Sequence, residues 1–521
     1  MLINIFCAKC VGIDAVPVTV EVDINGGIGI HLVGLADAAV KESLLRIVTA
    51  LQSMGFRIPG KKIVINLAPA DMHKNGSGYD LPIALGIIAA SGQAELPGLD
   101  RYLVMGELGL DASLRDVPGA LPMAELARQA GLEGCILPEA SAMEAIELPG
   151  IRVYGARTLR DVLDILAGEE DCSRLLVSGR PVATGLTQER PEMDFAEIVG
   201  QEGAKRGMEI AAAGGHNLIM VGSPGSGKSS LAKALSGILP PMDREEALIT
   251  SKIYSVAGKS GKACGLIRRR PFRAPHYSAS MAAVIGGGNG DNILPGEVSL
   301  ATNGVLFLDE FAQMPKAIAE ALRGPLEDRS VTISRLRAKI RFPASFMLVA
   351  ASNPCPCGYY GEGNRCRCTP SQRQSYLGRL SGPILDRIDL QLWLHPVDAR
   401  ALVRRGENTR ETSGEIARRV ALARDQQRQR FAAEEIFTNA EMTNRHLDRY
   451  CPLTPDCRQV LEQVIGRMGL SARAYTRILK VARTIADLEA GAGQPAGPIR
   501  PEHLLEAASY RFLDRLDAAE V

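Results

Sequence analysis

The stretch Asn217–Leu239 reads NLIMVGSPGSGKSSLAKALSGIL. It begins with an apolar run typical of a buried strand, continues through a glycine-rich turn that matches G-x-x-x-x-G-K-[ST], and ends in helix-forming residues. In that setting the backbone N–H groups and the helix N-terminus bind phosphates, the lysine reaches the β- and γ-oxygens, and the hydroxyl after it meets Mg²⁺. A fortuitous glycine-rich turn is the alternative, which the intact strand and helix disfavour. The pattern predicts an ATP site, with Mg²⁺ on Ser229, formed by Gly222, Ser223, Pro224, Gly225, Ser226, Gly227, Lys228, Ser229 and Ser230.

Two later apolar runs end in polar residues suited to phosphoanhydride hydrolysis. NGVLFLDEF predicts a strand that ends at Asp309 and Glu310, where the first carboxylate would hold Mg²⁺ and the second would polarise the attacking water. RFPASFMLVAASNP ends at Asn353, whose amide would orient that water. Strands often end in acidic turns, so the acidic pair gains its weight from the phosphate loop upstream. With Lys228, these three residues are the candidate catalytic groups of one subunit.

The order of phosphate loop, acidic strand and strand-end asparagine resembles the AAA+ ATPases. Arg387 in GPILDRIDL stands where that superfamily carries an arginine finger that reaches the neighbouring subunit's nucleotide. Arg473 in LSARAYTRILKVARTIADL stands where a second sensor belongs, with Arg477 as its nearest competitor. Each arginine taken alone would be an ordinary surface ion-pair residue. Because an arginine supplied in trans needs a neighbour, the resemblance implies a closed homo-oligomeric ring.

Motifs across nearly the whole chain resemble the magnesium-chelatase-like ComM/YifB family. They are HKNGSGYDLPIALG, VGSPGSGKS, RPFRAPHYSAS, GGGNGDNILPGEVSLATNGVLFLDE, ASNPCPCGYY and SGPILDRIDL. The resemblance implies an α/β fold with a Lon-protease-like N-terminal domain, an AAA+ P-loop module and an α-helical C-terminal lid. It also implies a hexameric DNA helicase that promotes branch migration of recombination intermediates during natural transformation. Its partners would be single-stranded and branched DNA and recombination proteins.

Strand, helix and linker patterns divide the chain into four parts. Residues 1–168 form the expected Lon-like α/β domain, with strand composition in VPVTVEVDI and KKIVINLAP and helical periodicity in AAVKESLLRIVTALQSMG. Residues 169–194 are polar, contain proline and read as a linker. Residues 195–396 form the expected ATPase domain, and residues 397–521 the helical lid.

Two basic segments are candidates for DNA contact. Apolar and polar residues alternate on both sides of RAK in the segment RSVTISRLRAKIRFPASFML. This pattern predicts a hairpin with a basic tip. VAGKSGKACGLIRRRPFRAPH is a second basic insertion. Around a ring axis both would grip a phosphate backbone without sequence preference, whereas the alternative is a solvated or subunit-contact loop. The candidate DNA-binding residues are Lys259, Lys262, Arg268, Arg269, Arg270, Arg335, Arg337 and Lys339, with Arg273 and Arg341 beside them.

The first domain carries Ser77 in NGSGYD, near the position of the Lon serine nucleophile. That nucleophile needs a neutral lysine to take its proton, yet no lysine occurs in the sequence between Lys74 and Lys205. The segment where the resemblance puts the base, GELGLDASLRDVPGALPMAELA, carries only Arg115 as a cation, and arginine stays protonated at neutral pH. The sequence therefore predicts a scaffold or a DNA-facing collar rather than a peptidase.

Four cysteines follow the strand-end asparagine within SNPCPCGYYGEGNRCRCTP. Two C-x-C pairs, Cys355 with Cys357 and Cys366 with Cys368, supply enough thiolates for a tetrahedral Zn²⁺ site, although the usual spacing is C-x₂-C. Unliganded thiols and redox chemistry are the alternatives, and a reducing compartment disfavours disulfides. We expect a structural zinc that stiffens this loop.

Composition limits the compartment and the partners. Net charge is +1, so a polyanion must be held by a local basic patch, and aromatic residues at 4% leave little for a base-stacking platform. MLINIFCAKC lacks the features of a signal peptide, and LPIALGIIAASG is too short to span a bilayer, so we expect a cytoplasmic protein without a membrane partner. Two functions stay open: a DNA-translocating ATPase, and a chelatase-type or protein-remodelling ATPase that acts on a protein partner. ATP-dependent proteolysis is disfavoured by the missing lysine.

Overall fold

The computed structural model describes residues 2–181, 192–260, 264–289, 292–334, 339–380, 382–397, 410–490 and 494–513. It is a mixed α/β structure with a helical C-terminal region, as the sequence predicts. The described residues form an N-terminal unit around a seven-stranded sheet, a central unit around a five-stranded parallel sheet, and a helical unit that begins at residue 410.

The N-terminal unit packs its helices on a mixed sheet with strand order β3-β4-β2-β1-β5-β8-β9. The predicted strands and the first helix are present, because alternating apolar residues give β2 and β4 one buried face each. Its elements are β1 (Ile3–Val11), β2 (Asp14–Asn25), β3 (Gly29–Val33), α1 (Ala38–Ser53), β4 (Lys62–Ala68), α2 (Asp80–Ala90), β5 (Tyr102–Val104), β6 (Glu107–Leu108), β7 (Leu114–Arg115), α3 (Ala120–Gln129), β8 (Gly134–Pro138), α4 (Glu139–Ala142), β9 (Arg152–Ala156) and α5 (Leu159–Ala167).

The segment that follows α5 is packed rather than free. A 3₁₀ helix spans Glu170–Leu175, Leu176 bridges to Tyr154 of β9, and Val177 is buried in the core of the N-terminal unit. Cys172 and Leu175 of the same segment also pack against that core. The first part of the expected linker therefore belongs to the N-terminal unit, and residues 182–191 lie outside the described part.

The central unit has a parallel sheet with strand order β11-β14-β17-β10-β18. All four pairings are parallel, so the carboxyl ends of the strands meet at one edge, which is where ligands bind in such sheets. Its elements are α6 (Glu202–Gly214), β10 (Leu218–Gly222), α7 (Lys228–Ser236), α8 (Arg244–Val256), β11 (Phe272–Arg273), α9 (Met281–Ile285), β12 (Gly286–Asn289), β13 (Asn292–Pro295), α10 (Glu297–Leu300), β14 (Val305–Leu308), α11 (Lys316–Ala321), α12 (Arg323–Asp328), β15 (Ser330–Ser334), β16 (Lys339–Pro343), β17 (Met347–Ser352), α13 (Pro370–Leu377), α14 (Gly382–Leu385) and β18 (Leu390–Leu394).

The predicted basic hairpin is present as β15 and β16, which pair antiparallel from Ser330–Pro343 to Ser334–Lys339. Its inner side chains, Ile333 and Ile340 among them, join the core on one face of the parallel sheet. The hairpin therefore stands on the central unit with its polar residues directed outward.

The helical unit shares a hydrophobic core with the other face of the parallel sheet. Ile416, Ile478 and Leu504 belong to the same buried cluster as Leu218 and Val349 of the sheet. No helix in the described part of the chain is long and apolar enough to cross a membrane. The helices of this unit are α15 (Ser413–Arg430), α16 (Asn444–Tyr450), α17 (Pro455–Met468), α18 (Ala472–Leu488) and α19 (Pro501–Ser509).

Candidate nucleotide-binding site

The glycine-rich turn lies between β10 and α7 at the carboxyl edge of the sheet. Gly225 and Gly227 have φ angles of 80° and 93°, which glycine adopts without strain. A Cβ built on either would meet nothing within 4 Å, so the inner side of the turn is open. The buried hydroxyl oxygen of Ser226 has no hydrogen-bond partner among the residues that the structure describes. The open side of the turn, at Gly225 and Gly227, leaves room for a phosphate group.

Lys228 occupies the mouth of this turn. Its Nζ donates to the carbonyls of Gly222 (2.7 Å) and Ser223 (2.9 Å) and to Oδ1 of Asn353 at 3.3 Å. Burial lowers the pKa of Lys228, while the nearby carboxylates of Asp309 and Glu310 act in the opposite direction. The structure thus brings the strand-end asparagine to the phosphate-loop lysine.

The acidic pair ends β14 beside the phosphate loop. Oγ of Ser229 donates to Oδ2 of Asp309 at 3.2 Å, which places a hydroxyl and a carboxylate where Mg²⁺ prefers oxygen ligands. Glu310 has a φ of 50°, an uncommon conformation for a residue with a side chain. These groups line a cavity of about 430 Å³ formed by Pro224, Gly225, Gly227, Lys228, Ser229, Ser230, Asp309, Glu310 and Asn353.

The candidate finger and sensor arginines lie elsewhere. Strand β18 runs parallel to β10, with Leu390 opposite Leu218 and Leu394 opposite Gly222. Arg387 precedes β18 and is therefore at the amino edge of the sheet, about 13 Å of strand away from the edge that holds the phosphate loop. Its guanidinium is 8% exposed and pairs with Glu327 of α12.

The two arginines of the helical unit are bound to the segment around Arg387. Nη1 of Arg473 lies 2.7 Å from Oδ2 of Asp386, and Nη1 of Arg477 lies 2.9 Å from Oδ1 of Asp389. None of the three arginines is brought to the phosphate loop of its own chain. In LDRIDL, Asp386 and Asp389 lie on either side of Arg387, and these acids were a signal in the sequence for the ion pairs with Arg473 and Arg477. No pattern in the sequence pointed to Glu327 as the partner of Arg387.

Most described basic residues of the 259–273 insertion are paired within the chain. Arg268 pairs with Glu147 of the N-terminal unit, and Arg270 forms a bidentate ion pair with Glu246. Arg273 pairs with Glu297, and the same carboxylate lies 3.5 Å from Nζ of Lys259. Arg269 also has a partner. Arg268 and Arg270 therefore have acidic partners that are distant in sequence, and their role as DNA contacts stays a prediction.

The hairpin presents a different situation. Lys339 and Arg341 alternate with buried Ile340 and Phe342, and both basic side chains are exposed. Arg335 and Arg337, together with Lys262 of the other insertion, lie outside the described residues. The described part of the hairpin therefore has a basic outer face.

The four cysteines of the loop after β17 form one cluster. The Sγ atoms of Cys355, Cys357 and Cys366 are separated by 3.4, 3.8 and 3.7 Å, and those of all four cysteines, Cys368 included, lie within 4.8 Å of one another. A tetrahedron with Zn–S bonds of about 2.3 Å has S–S edges of about 3.8 Å. The donor set and its spacing therefore fit a zinc ion.

The surroundings of the cluster favour a thiolate at Cys357 and connect the cluster to the phosphate loop. Backbone N–H groups of Tyr359 and Arg367 lower the pKa of Cys357 to about 6, whereas burial raises the pKa of Cys355 to about 12. Gly358 packs against the phosphate loop so closely that a Cβ there would lie 2.8 Å from Pro224. The cysteine loop and the nucleotide site are neighbours.

Ser77 of the N-terminal unit has a carboxylate partner rather than an amine. Its hydroxyl donates to Glu107, which also lies 3.5 Å from Nη1 of Arg115. Lys74 is buried, its ammonium donates to the carbonyl of Pro69, and burial lowers its pKa. This geometry does not supply the Ser–Lys pair that proteolytic Lon domains use.

A phosphate loop, an adjoining acidic strand end and a strand-end asparagine on a parallel sheet define a P-loop ATPase site of the AAA+ kind. The chain matches the family described as magnesium chelatase, subunit ChlI, over residues 194–402. It matches the subunit ChlI of Mg-chelatase over residues 20–141 and the ChlI C-terminal family over residues 410–511.

Full-length similarity narrows the class further. The chain is 43% identical to the protein YifB of Salmonella typhimurium over 506 residues, which cover 97% of this chain and 96% of the relative. It is 42% identical to the competence protein ComM of Haemophilus influenzae, with 98% of each chain covered. A weaker similarity, 25% over 150 residues, links 29% of this chain to 23% of the archaeal Lon protease of Methanocaldococcus jannaschii. The chain belongs to the ComM/YifB family of magnesium-chelatase-like AAA+ ATPases.

Proposed function

We propose that the protein is a ring-forming ATPase whose subunits couple ATP hydrolysis to movement along DNA. The observation that carries the proposal is the separation of the site into two halves. Lys228, Asp309 and Asn353 converge at the carboxyl edge of the parallel sheet, whereas Arg387 and Arg473 lie at the amino edge. A head-to-tail contact between copies would place the arginines of one subunit against the nucleotide of the next.

Each half has a defined chemical task. Lys228 and the turn N–H groups bind the phosphates, Ser229 and Asp309 hold Mg²⁺, Glu310 accepts a hydrogen bond from the attacking water, and Asn353 orients it. The metal, when bound, neutralises charge that develops on the phosphates. Arg387 and Arg473 of the neighbour would stabilise the same charge from the other side, as finger and sensor.

We propose that the N-terminal unit is the Lon-like domain without a peptidase site (1–168), the central unit the AAA+ module (195–396) and the helical unit the lid (397–521). The segment 169–194 would join the first two, and its first part, up to Val177, packs on the N-terminal unit. A hexamer is the subunit number that the family resemblance implies.

The DNA assignment rests on the hairpin and on the relatives. Exposed Lys339 and Arg341 would face a polyanion at the ring axis. Arg335 and Arg337, which lie between the two strands in the sequence, are further candidates. One full-length relative is a competence protein by name, which supports a role in natural transformation. Branch migration of recombination intermediates, with recombination proteins as partners, is the specific task that we propose.

We also propose that Cys355, Cys357, Cys366 and Cys368 bind a structural Zn²⁺. The Sγ separations match a ZnS₄ tetrahedron, and the loop adjoins the phosphate loop through Gly358 and Pro224. The metal would hold this loop in place rather than take part in hydrolysis.

The second candidate function is remodelling of a protein partner by the same ATPase site. It is favoured by the internal pairing of Arg268, Arg270 and Arg273, which removes much of the basic surface expected to bind DNA. A protein-remodelling ATPase would respond to its partner and would be indifferent to DNA.

The deciding experiment measures ATP hydrolysis with and without single-stranded and branched DNA, together with strand displacement from a three-stranded joint. The DNA motor predicts stimulated hydrolysis and displacement, both lost in Lys228→Ala. Lys233→Ala is the matched control, because Lys233 lies on the same helix but points to Glu192. Hydrolysis that is indifferent to DNA, or displacement by Lys228→Ala, would contradict the proposal.

A further inference from the structure

The turn between β1 and β2 of the N-terminal unit leans against the base of the basic hairpin. Gly12 has a φ of 67°, and a Cβ built on it would lie 3.1 Å from the carbonyl oxygen of Arg341 and 3.4 Å from Cγ2 of Ile340. The next residue, Ile13, packs against the apolar cluster that contains Ile333 and Ile340. The turn thus contacts both the backbone and the inner side chains of the hairpin.

A charged joint fixes the same turn to the central unit. Nζ of Lys252 on α8 lies 3.0 Å from Oδ1 of Asp14 and pairs with Glu125 of α3. The lysine side chain is only 11% exposed, so its charge is compensated mainly by these two acids of the N-terminal unit.

A third contact lies at the end of α8, directly before the insertion that starts near Lys259. The backbone N–H of Gly119 donates to the carbonyl of Ser255 at 2.9 Å, and the Ser255 hydroxyl donates to Glu144. The N-terminal unit therefore contacts the central unit beside both of its basic elements.

The hairpin is also connected to the nucleotide site through the chain. It follows α12, which carries the Glu327 partner of Arg387, and it leads into β17, which is followed directly by Asn353 beside Lys228. The turn at Gly12 contacts the hairpin between these two ends, at Ile340 and Arg341 of β16.

We propose that the N-terminal unit is a brace: Gly12 and the Asp14–Lys252–Glu125 joint hold the basic hairpin in the position in which DNA binding accelerates hydrolysis. This inference rests on the proposed DNA motor and assigns its otherwise unexplained first unit a mechanical task. Gly12 and Asp14 act as positioning residues, because neither reaches the nucleotide cavity.

The test replaces Gly12 by alanine and compares it with Gly92→Ala. Gly92 has a φ of 69°, nearly that of Gly12, but a Cβ there meets nothing within 4 Å. The two variants therefore share backbone strain, and only Gly12→Ala adds a methyl group against the hairpin. Asp14→Asn is a second variant that weakens the joint without a steric clash. Thermal melting first establishes that each variant is folded.

Two readouts are taken: hydrogen exchange of the amides of β15 and β16, and hydrolysis with and without single-stranded DNA. We expect faster exchange and a fall of about threefold or more in DNA stimulation for Gly12→Ala and Asp14→Asn, with hydrolysis in the absence of DNA unchanged and Gly92→Ala equal to the wild type. Unchanged hydrogen exchange of β15 and β16 would contradict the proposed brace. So would faster exchange together with full stimulation of ATP hydrolysis by DNA. If DNA does not stimulate ATP hydrolysis by the wild-type protein, the proposed DNA motor is contradicted instead. Hydrogen exchange of β15 and β16 in the variants would still show whether the Gly12 turn stabilises the hairpin.

Discussion

Nη1 of Arg473 lies 2.7 Å from Oδ2 of Asp386, the residue immediately before Arg387. The candidate sensor helix and the candidate finger segment are therefore joined within one chain, and Arg477 adds a second pair to Asp389. In the proposed ring, Arg387 and Arg473 would therefore approach the neighbouring subunit together, and hydrolysis would depend on contact between copies.

Mixing two inactive variants tests the division directly. Lys228→Ala retains the arginines and Arg387→Ala retains the phosphate loop, so random mixed rings would contain complete sites at about one quarter of their interfaces. We expect neither variant to hydrolyse ATP alone and the mixture to recover activity, measured as phosphate release. A mixture of Lys228→Ala with the double variant is the control and should stay inactive, and the absence of any recovery would contradict a shared site.

The outer face of the hairpin should set the salt dependence of DNA binding. Lys339→Ala removes one exposed charge and should reduce the slope of log K against log salt by about 0.7 for each single-strand phosphate that this lysine neutralises in the wild type. Arg268→Ala is the comparison, because its charge is directed to Glu147. Fluorescence anisotropy at several salt concentrations measures both slopes, and an equal reduction in the two variants would argue against the hairpin as the DNA-binding element.

Metal analysis tests the cysteine cluster. The purified protein should contain one zinc per chain, and Cys357→Ser or Cys366→Ser should lose it, because a structural site needs all four ligands. Cys264→Ser should retain the metal, since Cys264 is exposed and lies outside the cluster. A wild-type protein without zinc, or equal zinc in all variants, would show that these thiols are unliganded.

Stability should depend on pH through one buried histidine, His216. His216 is bonded to Asp389 at 2.9 Å and to Thr484 at 2.8 Å. Burial lowers the pKa of His216; burial alone would raise the pKa of Asp389, but Arg477 and His216 hold it well below its usual range. Both shifts favour the folded state at higher pH.

The stabilisation by His216 is complete above its ordinary pKa of about 6.5 and is lost as pH falls through the folded value. Melting temperatures should therefore decrease between about pH 8 and about pH 5, and His216→Asn, although less stable, should show a smaller decrease. His31→Asn, at an exposed site, should keep the wild-type dependence. Parallel curves for the wild type and His216→Asn would contradict this origin.

The N-terminal unit should have no peptidase activity. Ser77 donates to Glu107, and this arrangement lacks the Ser–Lys pair that proteolytic Lon domains use. Casein incubated with the protein and ATP should remain intact, and Ser77→Ala should hydrolyse ATP like the wild type. Casein degradation that disappears in Ser77→Ala would contradict the structural role.

The nucleotide half of the site was predictable because its signals are local. The strand, turn and helix of the phosphate loop follow from one short stretch, and parallel strands bring Asp309 and Asn353 to the same edge. The partners of the arginines were not predictable, since Arg268 meets Glu147 across 121 residues of chain and Arg387 meets Glu327 across 60. The packed segment after α5 was not predicted for a similar reason, as one buried valine outweighs a polar composition.

The helical unit and the parallel sheet share one hydrophobic core, in which Ile478 of α18 and Leu218 of β10 belong to the same cluster. Opening a hinge between them would expose that core to water, at a cost of about 25 cal/mol for each Å² of apolar surface. In the proposed ring, the movement that accompanies ATP hydrolysis would therefore be a rigid-body rotation of whole protomers against one another. The helical unit would not close as a lid on the sheet of its own protomer.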